Sequence, residues 1–191
     1  MVKLEGPWKE GYAFDIHTIS STYTGDNQYG HPTFDTKRSP MGQCLYELKY
    51  GQHLLVLEKI KALITADKSL ETFVKKIDLI VPVPPSNNYR LIQPVRVCAE
   101  KLSDIYKKGI DFTILSSTNK DELKSTPTDQ KYDKIKKGIN VVETLEKTKK
   151  ILVFDDVFDS GSTLTAITNA FNEKGYKNIY IFTLTKTRNS D

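Results

Sequence analysis

Residues 151–163 are Ile-Leu-Val-Phe-Asp-Asp-Val-Phe-Asp-Ser-Gly-Ser-Thr. The apolar start predicts a buried strand over 151–154, of the kind found in parallel sheets with both faces covered. Asp155 and Asp156 would follow at its carboxyl end, where open α/β sheets bind ligands. Residues 164–174 have the apolar spacing of a helix. The stretch therefore predicts a strand, a short loop and a helix in an α/β fold.

The loop that joins this strand to the helix carries small, hydroxylated side chains. Free N–H groups and the positive dipole end at a helix start attract an anion, and hydroxyl groups add donors. The two carboxylates suit sugar hydroxyls, or a Mg2+ ion held through its waters. The pattern therefore predicts a sugar phosphate site, and an acidic pair that merely caps the helix is the alternative. The predicted phosphate loop consists of Asp159, Ser160, Gly161, Ser162 and Thr163.

The stretch closely resembles the signature of type I phosphoribosyltransferases, in which an apolar strand and two acidic residues precede a Thr/Ser-Gly-x-Thr loop. The resemblance implies a Rossmann-like fold with a mostly parallel central sheet flanked by helices. It implies that Asp155 and Asp156 bind the ribose hydroxyls of phosphoribosyl pyrophosphate (PRPP) and that residues 159–163 bind its 5-phosphate. It also implies a Mg2+ cofactor, which Asp155 and Asp156 would hold directly or through water. These two residues and Asp159 are the candidate catalytic residues.

Asp159 has two possible roles. In the similar 6-oxopurine phosphoribosyltransferases, an Asp at this loop position is a candidate acid or base near the purine. A carboxylate here could shuttle a proton to or from a ring nitrogen. It could equally accept N–H bonds from its own loop as a local cap. The rest of the sequence has no obvious purine pocket, which favours the cap.

A second strand is predicted within residues 77–83, and the proline cluster that follows ends it. A polar loop then leads to a helix predicted over 94–107. In type I phosphoribosyltransferases the loop after the first core strand holds pyrophosphate. By resemblance this contact falls on Ser86, Asn87 and Arg90, because a guanidinium can bridge two phosphate oxygens. A solvated loop arginine is the alternative reading of Arg90, and Arg96 is a weaker candidate for the contact.

The sequence Val-Pro-Val-Pro-Pro followed by Arg90 is similar to the ComF group of competence-associated phosphoribosyltransferase-like proteins. That group continues with Arg-Gly-Phe-Asn-Gln, whereas residues 90–94 here are Arg-Leu-Ile-Gln-Pro, and the four-cysteine zinc module of the group is missing. The resemblance covers about residues 76–188 and is strong only over 151–163.

The resemblance leaves two functions open. The first is a Mg2+-dependent enzyme that transfers at the ribose anomeric carbon and releases pyrophosphate, with an unknown acceptor. The second is a ComF-like module that binds PRPP or a nucleotide without turnover and acts in DNA uptake, repair or regulation.

Residues 119–137 are polar and rich in lysine, which predicts a mobile loop. The resemblance implies a flap that closes over PRPP and contributes a basic residue to pyrophosphate. Such a lid would keep water from an oxocarbenium-like transition state. Its candidate residues are Lys124, Lys131 and Lys134, and a solvated, purely structural loop is the alternative.

The patterns divide the chain into an N-terminal hood of mixed structure, residues 1–75, and a phosphoribosyltransferase-like core, residues 76–191. In the hood, they predict a strand within 11–21, a loop over 22–32 and helical structure over 41–66 with a break near Gly51. The core ends with a strand near 179–184, after a helix that closes at Gly175. Tyrosines and phenylalanines cluster in the hood. They could stack on a base or a nucleic-acid strand, but core packing is their more common role.

The composition of the chain gives less specific information about its class, its ligand and its compartment. The 191 residues are 38% hydrophobic and 27% charged, as in an ordinary globular protein. The net charge of +4 fits a small anionic ligand and gives only weak support to a nucleic-acid partner. Cys44 and Cys98 lack metal spacing, which favours a reducing compartment. Because the sequence has no membrane-spanning stretch or signal peptide, the prediction is a cytoplasmic protein without a membrane partner, with a homodimer as an option.

Overall fold

The computed structural model describes residues 1–85, 90–117, 138–142 and 145–188. Its strands are β1 (Val2–Lys3), β2 (Glu10–Ile16), β3 (Thr18–Asp26), β4 (Pro32–Arg38), β5 (Leu79–Pro82), β6 (Gly109–Ile110), β7 (Leu115–Ser117), β8 (Ile139–Val141), β9 (Ile151–Phe158) and β10 (Ile179–Lys186). Its helices are α1 (Pro40–Tyr46), α2 (Val56–Ala66), α3 (Lys68–Lys75), α4 (Pro94–Tyr106) and α5 (Ser162–Glu173), and a π-helical turn, Glu47–Gly51, lies between α1 and α2.

Six of the described strands form the central sheet, in the order β1-β2-β10-β9-β5-β6. Every neighbouring pair is parallel except β1 and β2 at one edge. Two smaller antiparallel ribbons pair β3 with β4 and β7 with β8. The predicted α/β class with a mostly parallel central sheet is confirmed. None of the helices that the structure describes is both long and apolar enough to span a membrane.

Helices cover both faces of the sheet. On one face, Leu152 and Phe154 of β9 belong to a hydrophobic cluster with residues of α1, α2, α3 and α4. On the other face, Ile151 and Val153 belong to a second cluster, which includes the apolar side of α5. Because successive strand side chains point to opposite faces, this short apolar run supplies both clusters. A strand covered in this way shows no polar alternation.

The strand order reverses between β5 and β9. From β5 the chain continues to β6 at the far edge of the sheet, and it later returns to β9 on the opposite side of β5. The connections that leave the carboxyl ends of β5 and β9 therefore go to different sides. Open α/β sheets bind ligands in the crevice that such a reversal leaves.

Strand β9 is longer than the predicted 151–154, so the predicted strand end was wrong. It pairs with β10 along its whole length, but with β5 only as far as Phe154, opposite Pro82. The Val83 N–H donates to the Phe154 carbonyl at 2.8 Å just past this last pair. The acidic pair therefore lies beyond the end of β5, in a segment that pairs only with β10 among the described strands. The local apolar pattern could not predict that residues 155–158 are extended, because their pairing with the distant strand β10 determines this conformation.

Several other predicted elements are confirmed. The helical spacing over 41–66 corresponds to α1, the π-helical turn and α2, with the break near Gly51. The helix predicted over 94–107 is α4, and the strand within 77–83 is β5. At the end of α5, Gly175 has a φ of +85°, a backbone conformation that favours glycine.

The predicted loop over 22–32 was wrong, because β3 and β4 form a hairpin that includes most of it. Hydroxyl groups pair across this hairpin, at 3.0 Å for Ser21 with Thr36 and for Thr24 with Thr33. Most of its side chains are exposed. The hairpin therefore lacks the apolar alternation from which a strand is predicted.

Two predicted strands are each divided in the structure. The apolar residues of 110–115 predict one strand, but they contribute to both β6 and β7, which lie in different sheets. Asp111 separates them, because its carboxylate accepts bonds from the N–H and the hydroxyl of Thr113, both at 2.7 Å. The strand expected within 11–21 is divided between β2 and β3 by a bend at His17.

The division into residues 1–75 and 76–191 stays a prediction. Within the described residues, the first part contributes β1 and β2 to the central sheet. Its helices α1, α2 and α3 share one hydrophobic cluster with α4 of the second part.

Gly42 provides a test of how α1 packs. A Cβ on Gly42 would overlap the carbonyl oxygen of His17. We expect Gly42→Ala to destabilise the protein by about 1–3 kcal/mol through overpacking, although alanine is normally favoured over glycine in a helix by roughly 1 kcal/mol. Urea unfolding measures the change. Gly109→Ala is the control, because its nearest neighbour is the flexible Leu79 side chain at 3.3 Å. An unchanged midpoint for Gly42→Ala would contradict this packing.

Candidate functional site

The loop between β9 and α5 borders an open cleft of about 180 Å³ at the carboxyl edge of the sheet. All five residues of the predicted phosphate loop line it, together with one of the two adjacent carboxylates. The structure therefore brings this carboxylate and the loop to the same space. The lining residues are Asp155, Val157, Phe158, Asp159, Ser160, Gly161, Ser162, Thr163 and Leu164.

Gly161 determines the shape of the loop. Its φ of +76° lies in the left-handed region, which residues with a Cβ adopt only with strain. A Cβ here would also lie 2.7 Å from Cζ of the Phe158 ring. Both the backbone conformation and the packed ring therefore require glycine at this position.

Helix α5 starts in this loop without a side-chain cap at Gly161. The Ser160 hydroxyl oxygen lies 2.9 Å from that of Ser162 and accepts the Ser162 N–H at 3.4 Å. First-turn N–H groups have no partners within their own helix, and the dipole favours negative charge there. The two hydroxyls can rotate to donate to an anion. The arrangement is chemically suited to a phosphate monoester.

Asp155 contributes a carboxylate to the same cleft. Its Oδ1 accepts the N–H of Asp156 at 2.8 Å. Burial, and next the negative charge of Asp156, raise the pKa of Asp155. The ionised carboxylate is therefore costly in the free protein, and hydroxyl donors or a cation brought by a ligand would stabilise it.

Asp156 lies on the other face of β9, since adjacent strand side chains alternate. Its Oδ2 is 2.9 Å from Nζ of Lys49, and the two side chains are only 13% and 19% exposed. Burial, with a further contribution from the Asp156 charge, raises the pKa of the Cys98 thiol in α4. The structure thus separates the acidic pair: one carboxylate faces the loop, and the other is held by a lysine of the N-terminal part.

Lys49 is a site residue that sequence analysis missed. It belongs to the π-helical turn, far from Asp156 in the chain, so no local spacing connects them. The available sequence indications were a lysine within the apolar helical spacing of residues 41–66 and the break near Gly51. π-Helical turns are often found at functional sites.

A second cavity, of about 290 Å³, lies where the chain leaves β2 and β10. His17 lines it, and its Nδ1 is 3.0 Å from the Thr185 hydroxyl. Burial lowers the pKa of His17, and the positive charges of Lys49 and Arg38 act in the same direction. The imidazole is therefore neutral at pH 7 and close to the Lys49–Asp156 pair. The lining residues are His17, Thr18, Ile19, Ser20, Ser21, Thr187 and Arg188.

Asp159 connects the two cavities. Its carboxylate accepts the hydroxyl of Thr187 at 2.9 Å. Asp159 lines the loop cleft, and Thr187 lines the second cavity. Within the described residues, this carboxylate therefore bonds to Thr187, in the segment after β10. The structure shows no bond from it to an N–H of its own loop in the same residues. Its predicted acid or base role stays a prediction.

The predicted pyrophosphate loop is described only in part. Ser86 and Asn87 lie outside the described residues. Arg90 is half-buried, and its carbonyl accepts a bond from the Gln93 side chain at 3.2 Å. Arg96 is 3.3 Å from Glu100 and stacks on Phe112, on the surface of α4. Arg90 is not among the residues that line the loop cleft.

The predicted flap residues Lys124, Lys131 and Lys134 also lie outside the residues that the structure describes. Their role stays a prediction.

A Mg2+ ion fits this site only with help from a ligand. Within the described ranges, no group of three or more His, Cys, Asp or Glu side chains could hold a metal. Asp155 offers a carboxylate in the cleft, whereas Asp156 already has Oδ2 engaged by Lys49. Mg2+ commonly takes one or two carboxylates and completes its shell with phosphate oxygens and waters. The carboxylates present could hold a Mg2+ ion together with phosphate oxygens and waters. They are too few to coordinate the ion with protein side chains alone.

The chain matches no protein-family model and no curated protein. Among solved structures, a hypoxanthine phosphoribosyltransferase from Staphylococcus aureus is similar, at 18% sequence identity and a TM-score of 0.44. The match covers 68% of this chain and 64% of that one. The chain thus spans a little under two-thirds of the length of that protein.

His17 predicts how stability changes with pH. Because its pKa is lowered in the folded state, acidification through its ordinary value of about 6.5 protonates the unfolded chain first. The contribution of His17 to stability should therefore fall from pH 7.5 to pH 5.5, whereas the raised pKa of Asp155 acts in the opposite direction. His17→Gln keeps a hydrogen-bonding group but does not titrate, so it should gain stability relative to the unmodified protein as the pH falls. Thermal unfolding across this range measures it, and equal slopes for the two proteins would contradict a buried neutral His17.

Proposed function

We propose that this protein binds PRPP, or a related ribose 5-phosphate compound, at the carboxyl edge of its sheet and uses it as a phosphoribosyl donor. The observation that carries the proposal is that the start of α5, where Gly161 provides no side-chain cap, and the Asp155 carboxylate line one cleft. The first suits a phosphate monoester, and the second suits sugar hydroxyls. The resemblance of residues 151–163 to the type I phosphoribosyltransferase signature supports the same ligand.

In this proposal each part of the site has a separate task. The loop from Asp159 to Thr163 binds the 5-phosphate and fixes one end of the ligand. Asp155 and Asp156 bind the ribose hydroxyls from the end of β9. The crevice between β5 and β9 then receives the pyrophosphate, for which Ser86, Asn87 and Arg90 are the proposed contacts. Bound Mg2+ would neutralise charge on the leaving pyrophosphate.

The proposed reaction replaces one bond at the anomeric carbon. The bond from this carbon to the pyrophosphate oxygen breaks, and the oxygen keeps the electron pair. An acceptor nucleophile forms the new bond and loses its proton. Asp159 is the proposed proton carrier, because it lies between the loop cleft and the second cavity. The second cavity is the space available to an acceptor, whose identity is open.

Binding without turnover is the second candidate function, as in a ComF-like module. Two observations favour it. Asp156 already has a cationic partner in Lys49. The departures of residues 90–94 from the expected pyrophosphate loop argue against a salvage enzyme. In either case we propose a cytoplasmic protein whose main partner is a small anionic ligand, since the +4 net charge gives little support for strong nucleic-acid binding.

Calorimetry with ribose 5-phosphate and Mg2+ tests the binding part of the proposal. We expect saturable binding that Asp155→Asn weakens at least about tenfold, because hydrogen bonds to charged groups contribute about 1.5–3 kcal/mol. Chelation of Mg2+ should weaken binding of PRPP more than that of ribose 5-phosphate, since only PRPP brings a pyrophosphate. Asp104→Asn, at an exposed position of α4, is the control. Absence of any binding by the unmodified protein would contradict the proposal.

Pyrophosphate release tests turnover. The protein is incubated with PRPP, Mg2+ and a panel of nucleobases, and the enzyme proposal predicts release with at least one of them. Asp155→Asn should abolish that release, whereas Asp104→Asn should not. Tight PRPP binding without release from any acceptor would contradict the enzyme and favour the non-catalytic module.

A further inference from the structure

The ion pair between Lys49 and Asp156 lies where the N-terminal part meets the carboxyl end of β9. Its atoms are 2.9 Å apart, and both side chains are largely buried. The other ion pairs among the described residues each include at least one side chain that is more exposed than either member of this pair. A buried lysine directed at one of the two signature carboxylates therefore needs its own explanation.

The π-helical turn that carries Lys49 is anchored on several sides. Leu48 is fully buried in the hydrophobic cluster shared with α4. Glu47 accepts a bond from the Gln43 side chain at 3.0 Å. Tyr46 and Tyr50 pack against each other with ring centroids 4.9 Å apart, and Arg38 covers Tyr46 at 3.8 Å. These contacts fix the backbone on both sides of Lys49, so its ammonium group reaches Asp156 from a rigid base.

Stability alone does not account for this pair. Removing two charges from water costs several kcal/mol per ion, and replacing a buried ion pair by packed apolar residues is often neutral or stabilising. Leu152 and Phe154, which precede Asp156 on the same face of β9, are already apolar and fully buried. An apolar pair at positions 49 and 156 would continue that face. The charged pair occurs instead at the edge where the sheet reversal favours a ligand.

We propose that Lys49 is a positioning residue for the ribose site. Asp156 lies on the face of β9 opposite the loop cleft, and Lys49 holds it through Oδ2, which leaves Oδ1 for a ribose hydroxyl that approaches the end of β9 from that face. The inference rests on the proposed function, because it needs a ribose phosphate at this edge. Lys49 acts through Asp156 and does not itself touch the phosphate loop. Because Lys49 fixes the Asp156 carboxylate before the ligand binds, less side-chain conformational entropy is lost on binding.

The test separates ribose binding from phosphate binding. Affinities for ribose 5-phosphate and for glycerol 3-phosphate, a monoester without the ring, are measured by calorimetry for the unmodified protein and for Lys49→Met. We expect Lys49→Met to weaken ribose 5-phosphate about tenfold and to leave glycerol 3-phosphate within about twofold. Lys49→Arg should restore most of the loss. Lys59→Met is the matched control, because Lys59 is exposed and 3.9 Å from Glu47.

A double-mutant cycle tests the route of the effect. If Lys49 acts through Asp156, Lys49→Met should have little further effect on ribose 5-phosphate affinity in an Asp156→Asn background, so the two losses will not add. If Lys49→Met alone unfolds, Asp156→Asn and Lys49→Met/Asp156→Asn keep the test valid, because neither leaves an unpaired buried carboxylate. Equal affinities of these two variants for ribose 5-phosphate are expected, and a further loss in the double variant would contradict the inference.

Three results would overturn the inference: unchanged ribose 5-phosphate affinity in folded Lys49→Met, additive losses in the cycle, or an equal loss for glycerol 3-phosphate. Failure of the proposed function is distinguishable from these, because the unmodified protein would then bind neither monoester.

Discussion

The unequal pairing of β9 with its two neighbours is the constraint on which the site depends. Strand β10 holds β9 over eight residues, whereas β5 releases it after Phe154. The last part of β9 therefore stays extended, and no strand among the described residues pairs with its other side. Its polar side chains lie at the crevice where the strand order reverses, and the predicted phosphate loop follows directly. If β5 continued to pair, a strand would occupy the side that is now open to a ligand.

The geometry of β9 also determines the environment of the two adjacent carboxylates at this edge of the sheet. Two consecutive carboxylates in a partly buried strand would repel each other if nothing compensated their charge. The alternation of side chains reduces the problem by directing Asp156 to the other face, where Lys49 neutralises it. Asp155 is left in the cleft with a raised pKa. In the free protein, Lys49 thus neutralises Asp156 through Oδ2, whereas Asp155 is left to be stabilised by what binds.

The sequence was sufficient for the parts of the molecule that local chemistry determines. The apolar run, the loop composition and the spacing of α5 predicted the strand, the loop and the helix. The carboxylate in the cleft was predicted as well. The length of β9, the hairpin over 18–38 and the partner of Asp156 were not, because each depends on contacts between distant segments. Lys49 is the clearest case, since only the folded chain brings it to Asp156.

The central claim is that the start of α5 binds a phosphate monoester while the end of β9 contacts its sugar. Amide NMR spectra during titration with ribose 5-phosphate and Mg2+ test it most directly. The account predicts saturable shifts for the N–H signals of Gly161, Ser162 and Thr163, accompanied by Asp155 and Asp156. Shifts confined to another surface, or a loop that stays unperturbed at saturating ligand, would contradict it.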